Sequence, residues 1–134
     1  MGYPIIDLDN FFTDINLYLR KLEEVIINTL KSFDLEGFTI SGETGVWVKD
    51  KKGLSKKICA FGIRASRWVT MHGFSFNINP DLNYFNNIIP CGIKDKGVTS
   101  VSELKNRNIE INEIKNILLE NFSHSFDAEL IYKN

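Results

Sequence analysis

Long apolar runs are missing from this sequence. No stretch approaches the roughly 20 residues of a membrane-spanning helix, so no membrane partner is expected. Positive charge is not in excess either: 16 Lys and Arg stand against 17 Asp and Glu, a formal net charge of −1. Without a basic field, nucleic acid is not an expected partner. Cysteine is scarce. Two thiols, Cys59 and Cys91, make no disulfide framework, and a reducing cytoplasm is the expected location. The start, Met1-Gly2-Tyr3-Pro4, lacks the basic and apolar regions of a secretory leader. A glycine-rich phosphate loop, a dinucleotide fingerprint and metal-ligand spacing are all wanting, so no nucleotide or metal is expected.

What remains is an ordinary globular composition, 43% hydrophobic and 25% charged over 134 residues. A chain of that size can bury roughly two-thirds of its unfolded surface. With no repeat, linker or low-complexity tract, residues 1–134 read as a single domain.

Phe11, Ile15, Leu19, Leu22, Ile26, Leu30 and Phe33 recur at steps of three and four. They predict one long helix over about residues 10–32, with Asp7 or Asp9 as its N-cap. Asp14, Arg20, Lys21, Glu23 and Glu24 should form its solvated face. Before it, Tyr3 to Leu8 reads as a short edge strand, because Pro4 cannot donate to a central ladder. After it, Phe38 to Ser41, Val46 to Val48 and Lys56 to Arg64 read as strands, the last two joined by a charged hairpin tip at Lys49 to Gly53. Trp68 to Met71 and Phe74 to Asn79 read as two more β segments with a turn at Met71-His72-Gly73. Pro80 to Phe85 suggests a helical turn, and Ile88 to Ile93 a short apolar run. Ser100-Val101-Ser102-Glu103 is a capping box that opens a short helix ending near residues 106–108. A last helix opens at Asn112 or a residue just before it, with Ile114, Leu118, Phe122 and Phe126 as its stripe. Ala128 to Tyr132 reads as a final strand. Strands mixed with a long helix and C-terminal helices make the class α+β.

Cys91 lies between Pro90 and Gly92, where the backbone turns and a thiol is accessible. Cys59 lies inside the apolar run Ile58 to Ile63 and reads as a buried structural thiol. Lys56 and Lys57 enter that strand together, so one of them faces inward and needs an anionic partner. A thiolate would serve, since a nearby ammonium lowers a thiol's pKa. His72 is the other candidate base for Cys91. From spacing alone the Cys91–His72 and Cys91–Lys57 dyads stand equally open. His124, among polar neighbours, reads as merely exposed. Gly62 and Gly73, with Ala60, Phe61 and Phe74 around them, suit the close approach of an aliphatic ligand.

Several stretches together are specific: Gly2-Tyr3-Pro4-Ile5-Ile6-Asp7-Leu8, Thr44-Gly45-Val46-Trp47-Val48, Lys57 to Arg64, Ser66 to Phe74, Asn77 to Leu82, Ile89-Pro90-Cys91-Gly92-Ile93 and Val98-Thr99-Ser100. In this order they resemble the C-terminal part of the octanoyltransferase (lipoyl(octanoyl) transferase) family. The resemblance implies the biotin/lipoate protein ligase-like catalytic domain: a mixed β-sheet packed by a long N-terminal helix and C-terminal helices. It implies an acyltransferase that takes octanoyl from octanoyl-acyl carrier protein. The acceptor is a lysine of the lipoyl domains of 2-oxo acid dehydrogenases or of the glycine cleavage H protein, the first step of endogenous protein lipoylation. Cys91 matches the cysteine that holds the acyl group as a thioester. Lys57 matches the lysine that lowers that cysteine's pKa. Ala60, Phe61, Gly62 and Gly73, Phe74, Ser75 match the substrate-binding segments. Neither metal nor nucleotide is implied. The family's Arg-Gly-Gly and Thr-Tyr-His-Gly-Pro-Gly-Gln stretches have no match, so the chain reads as a domain truncated at its N-terminus, with an unpaired sheet edge. Two other readings stand beside this one: a non-catalytic remnant that binds acyl carrier or lipoyl domains, and a hydrolase using Cys91 and His72.

Overall fold

The computed structural model describes residues 1–80 and 97–133. The expectations placed on residues 81–96, the helical turn after Pro80 and the apolar run around Cys91, lie outside the described residues. Helix α1 spans Ile15–Lys31, strands β1 to β3 span Val46–Lys49, Ser55–Ser66 and Val69–Phe76, and helices α2 and α3 span Val101–Lys105 and Ile111–Phe126.

α1 starts later than the apolar spacing suggested. Asp14, in extended conformation, accepts from the Leu17 backbone N–H and caps it. Asp7 caps a separate 3-10 turn at Leu8–Asn10 by accepting from Asp9 N–H. Two local caps compete for the same run, and each satisfies donors that a continuous helix would leave open. The inner face of α1 buries Tyr18, Leu22, Val25, Ile26 and Leu30. Glu23, expected in solvent, is buried at 1% exposure.

The three strands form an antiparallel sheet in the order β1-β2-β3. Trp47 faces Lys57 and Val48 faces Lys56, and a register shift between Val46 and Trp47 brings Val46 opposite Cys59. That irregularity is a β-bulge, which turns successive side chains toward one side. Ile58 and Cys59 are accordingly both buried in the core that α1 and α3 cover. β3 is continuous from Val69 to Phe76, so the turn expected at Met71-His72-Gly73 is not there. His72 takes φ 64 within the strand while keeping its place opposite Ile63; the strand bends and continues. The true reversal is Arg67-Trp68, both with positive φ. That is the pattern of a two-residue primed hairpin turn.

Residues 2–8 run along the outer edge of β3 as single bridges, not as a regular strand. Gly2 exchanges two backbone bonds with Phe74, Thr70 N–H donates to Ile6 O, and Leu8 N–H donates to Trp68 O. Pro4 interrupts the ladder; its carbonyl accepts from the Thr70 hydroxyl instead. Phe38 likewise makes one bridge, to Trp47, in place of the strand expected there. A parallel bridge joins Lys57 to Val98, which gives the sheet its mixed character.

The capping box forms in part. Ser100 Oγ accepts from Glu103 N–H, but the Glu103 carboxylate turns to the Thr99 hydroxyl at 2.8 Å. α2 ends at Asn106 in the left-handed region. α3 begins at Ile111, capped by Glu110, where the expected opening at Asn112 or the residue just before it placed it. Ile114 and Phe126 of its stripe are buried, and Phe122 stacks on Phe126 with ring centroids 4.4 Å apart. The tail after α3 forms no strand: Ile131 and Tyr132 stay in solvent, because it meets no sheet edge to pair with. Among the described residues, no helix is long and apolar enough to cross a membrane.

Candidate active site

The antiparallel register sets side by side the two triplets expected to bind substrate. Ala60 stands opposite Ser75, Phe61 opposite Phe74 and Gly62 opposite Gly73. Residues 11 to 15 apart in sequence thus become three adjacent cross-strand pairs. By the pleat, Phe61 and Phe74 point to the helix side, and Ala60 and Ser75 to the other. The two phenyl rings lie 5.8 Å apart. Small groups on one face and aromatics on the other leave a smooth strip of backbone above a firm core.

The two glycines differ. A Cβ added at Gly62 would meet nothing within 4 Å. One at Gly73 would fall 1.9 Å from Gly2 O. The close approach that Gly73 permits is therefore made by this chain's own N-terminal segment, whereas the space at Gly62 is open.

Lys57 is the inward lysine. It is 9% exposed. Its backbone is held twice, N–H donating to Gly97 O and carbonyl accepting from Thr99 N–H. Its Nζ lies 4.8 Å from the centroid of the Trp47 ring. Such a desolvated cation–π contact is worth about 2 kcal/mol. Trp47 itself is fully buried, so the ammonium rests on a fixed platform. Sequence reasoning missed Trp47 as part of this site, although Gly45-Val46-Trp47 was among the specific stretches. Its pairing with Lys57 depends on the register of the β1–β2 hairpin, which the loop length alone leaves open.

Cys59 is fully buried. Burial pushes its thiol well above the ordinary value; the N-terminal amine and Lys57 oppose this weakly, and the Glu23 carboxylate adds to it. A neutral, inaccessible thiol is no nucleophile, so the structural reading of Cys59 holds. Cys91 lies outside the described residues. His72 is exposed and stands opposite Ile63, on the order of 20 Å along β2 from Lys57 at the usual strand rise. The structure does not bring the two candidate bases together. His124 is exposed, as expected.

A cavity of about 570 Å³ opens between the end of β3 and α3, walled by Gly2, Phe74, Phe76, Ile114 and Leu118. Of the expected substrate-binding residues, Phe74 and Ser75 line it; Ala60, Phe61 and Gly62 do not. Among the described residues, no cluster of His, Cys, Asp and Glu could hold a metal.

The lipoyl protein ligase A/B catalytic domain matches residues 1–123. The chain belongs to that family. An octanoyltransferase of Christiangramia forsetii is 56% identical over 134 residues, 99% of this chain and 57% of that protein. One of Flavobacterium johnsoniae is 54% identical over 132 residues, again reaching 57% of its length. The chain thus spans little more than half the length of these curated relatives. Solved structures agree on the fold. A bi-partite lipoate protein ligase from Thermoplasma acidophilum superposes with a TM-score of 0.71 at 17% identity, over 98% of this chain and 51% of that one. Biotin protein ligase from Aquifex aeolicus gives 0.69 at 16% identity, over 93% and 51%. The α+β architecture is that of the biotin/lipoate protein ligase catalytic domain.

Proposed function

We propose that this chain acts in octanoyl transfer for protein lipoylation. The observation that carries the reading is the buried Lys57 ammonium over Trp47, beside paired small-residue segments, in a chain 56% identical to an octanoyltransferase. The donor is octanoyl-acyl carrier protein. The Cys91 thiolate attacks the donor's thioester carbonyl, forming the acyl–Cys91 thioester and releasing the carrier thiol. One thioester replaces another, so the step is nearly balanced in energy. The neutral amine of a lipoyl-domain lysine then attacks the acyl–Cys91 carbonyl, the amide forms, and the Cys91 thiolate leaves. The Lys57 ammonium stabilises the attacking thiolate and gives its proton to the departing carrier thiol; the neutral Lys57 amine then takes up the proton that the acceptor amine sheds, which restores the ammonium beside the leaving Cys91 thiolate. The acceptors are lipoyl domains of 2-oxo acid dehydrogenases and the glycine cleavage H protein, and the reaction runs in the cytoplasm. The open backbone at Gly62 and the apolar residues around it suit an alkyl chain better than a sugar or phosphate.

The test is intact-mass analysis after incubation with octanoyl-acyl carrier protein. An octanoyl adduct should form on Cys91, vanish in Cys91→Ala and persist in Cys59→Ala. Folded protein that never acquires the adduct would overturn the reading.

A further inference from the structure

Glu23 and Lys57 are the charged side chains buried in the described residues, and they come from different elements. Glu23 sits mid-way along α1 with its carboxylate split between two tasks. One oxygen takes Arg20, whose own side chain is 54% exposed. The other accepts the Gly45 backbone N–H at 3.3 Å. A carboxylate this deep is costly unless it is paired and hydrogen-bonded, and Glu23 is both. An ion pair with a surface arginine could be made as well from the helix's outer face. The inward oxygen is what burial serves.

What it holds is unusual. Gly45 has φ +136, a conformation side chains rarely adopt. A Cβ there would lie 2.8 Å from Cys59 O and 3.2 Å from Lys57 Cε. The bare Cα of Gly45 is thus the wall along which the Lys57 stem runs, two residues before the Trp47 platform and next to the bulge. We propose that Glu23 is a positioning residue for Lys57: by fixing Gly45 it aims the ammonium. This rests on the role given to Lys57 above, and it adds a residue on α1 to the transfer reaction.

The experiment compares reductive methylation of Lys57 with that of exposed Lys115 by mass spectrometry, on the full chain. Cys59 alkylation, read in parallel, reports general loosening. In Glu23→Ala, Lys57 labelling relative to Lys115 should rise about tenfold, the factor for loss of one buried hydrogen bond, while Cys59 stays protected. Glu23→Gln keeps an acceptor for Gly45 and should restore the wild-type ratio despite losing the Arg20 pair. Arg20→Ala should also leave the ratio unchanged. Should Glu23→Ala not fold, Glu23→Asp carries the test, because it keeps the charge but falls one methylene short of Gly45. An unchanged Lys57 ratio in the folded variant overturns the proposal. So does a rise matched by Cys59, which would make Glu23 merely structural. The labelling needs no turnover. If the wild-type chain forms no octanoyl adduct, the functional reading fails and this measurement still decides where Glu23 puts Lys57.

Discussion

The two ends of β2 are built differently. At the lysine end, Lys57, Ile58 and Cys59 are all buried, the register to β1 shifts, and the backbone of Lys57 is bonded to a third segment at residues 97–99. At the turn end, Gly62, Arg64 and Ser66 are exposed, the pairing with β3 is regular, and the strand closes through Arg67-Trp68. The irregular end carries the candidate chemistry. Its bulge and positive-φ glycine are tolerated because burial on both faces over-determines them. The turn end also meets a third segment, residues 6–8 along β3, but Gly62, Arg64 and Ser66 stay in solvent and no charge is buried there.

The largest expected difference between the ends lies in their tryptophans. Trp47→Ala should lose about 3–5 kcal/mol in urea unfolding, the usual cost of emptying a fully buried aromatic site. It also removes the ring under Lys57. Trp68, at 41% exposure, should cost about 1 kcal/mol or less as Trp68→Ala. Equal losses would mean that the turn end is as tightly packed as the lysine end.

Gly45→Ala is next. It forces a side chain into the strained region and against Cys59 O, so a loss of roughly 1–3 kcal/mol is expected in the same assay. A loss near zero would show that the wall beside Lys57 gives way easily, which would weaken the case for Glu23 as well.

Cys59 gives the lysine end a pH signature. Its folded thiol is raised by burial above the ordinary value of 9.0. The native state therefore holds a proton that the unfolded chain releases. Stability from this group is complete below pH 9 and falls as pH rises toward the folded value. The slope approaches about 1.4 kcal/mol per pH unit for one group. Urea titrations at pH 8 and at pH 10 should show the fall in wild type and a shallower one in Cys59→Ala. Tyr18, raised by burial from 10.0, adds its own share at the upper end, so the variant retains some slope.

Much of this was legible from residue spacing. The stripe of α1, the β1–β2 hairpin, the Ser100 cap and the buried character of Cys59 all follow from local chemistry. The rest depends on contacts between distant residues. Glu23 reads as solvated because its helical position borders the apolar stripe; only Gly45, from another element, explains why it turns inward. The break expected at Met71-His72-Gly73 fails for a related reason. Glycine beside histidine looks like a turn, yet Gly73 is small because Gly2 crosses it, and that crossing is invisible along the chain. The choice of Lys57 over His72 came from resemblance; the structure sets the two apart along β2, while Cys91 lies outside the described residues.

The smallest expected stability effect is also the most informative about substrate. Gly62 lies toward the turn end, and a Cβ there meets nothing within 4 Å. Gly62→Ala should shift unfolding by no more than about 0.5 kcal/mol, in either direction, since a methyl group in open space neither clashes nor packs. The octanoyl chain changes that expectation for transfer. If the alkyl group lies along the strip from Ala60 to Gly62, the added methyl occupies its path, and KM for octanoyl-acyl carrier protein should rise about tenfold or more, in line with the roughly 1–3 kcal/mol that one methylene decides in an apolar pocket. A variant unchanged in both stability and KM would move the acyl chain off this strip and toward the cavity between β3 and α3. There Leu118→Phe, which fills that cavity instead, should then produce the KM effect that Gly62→Ala did not.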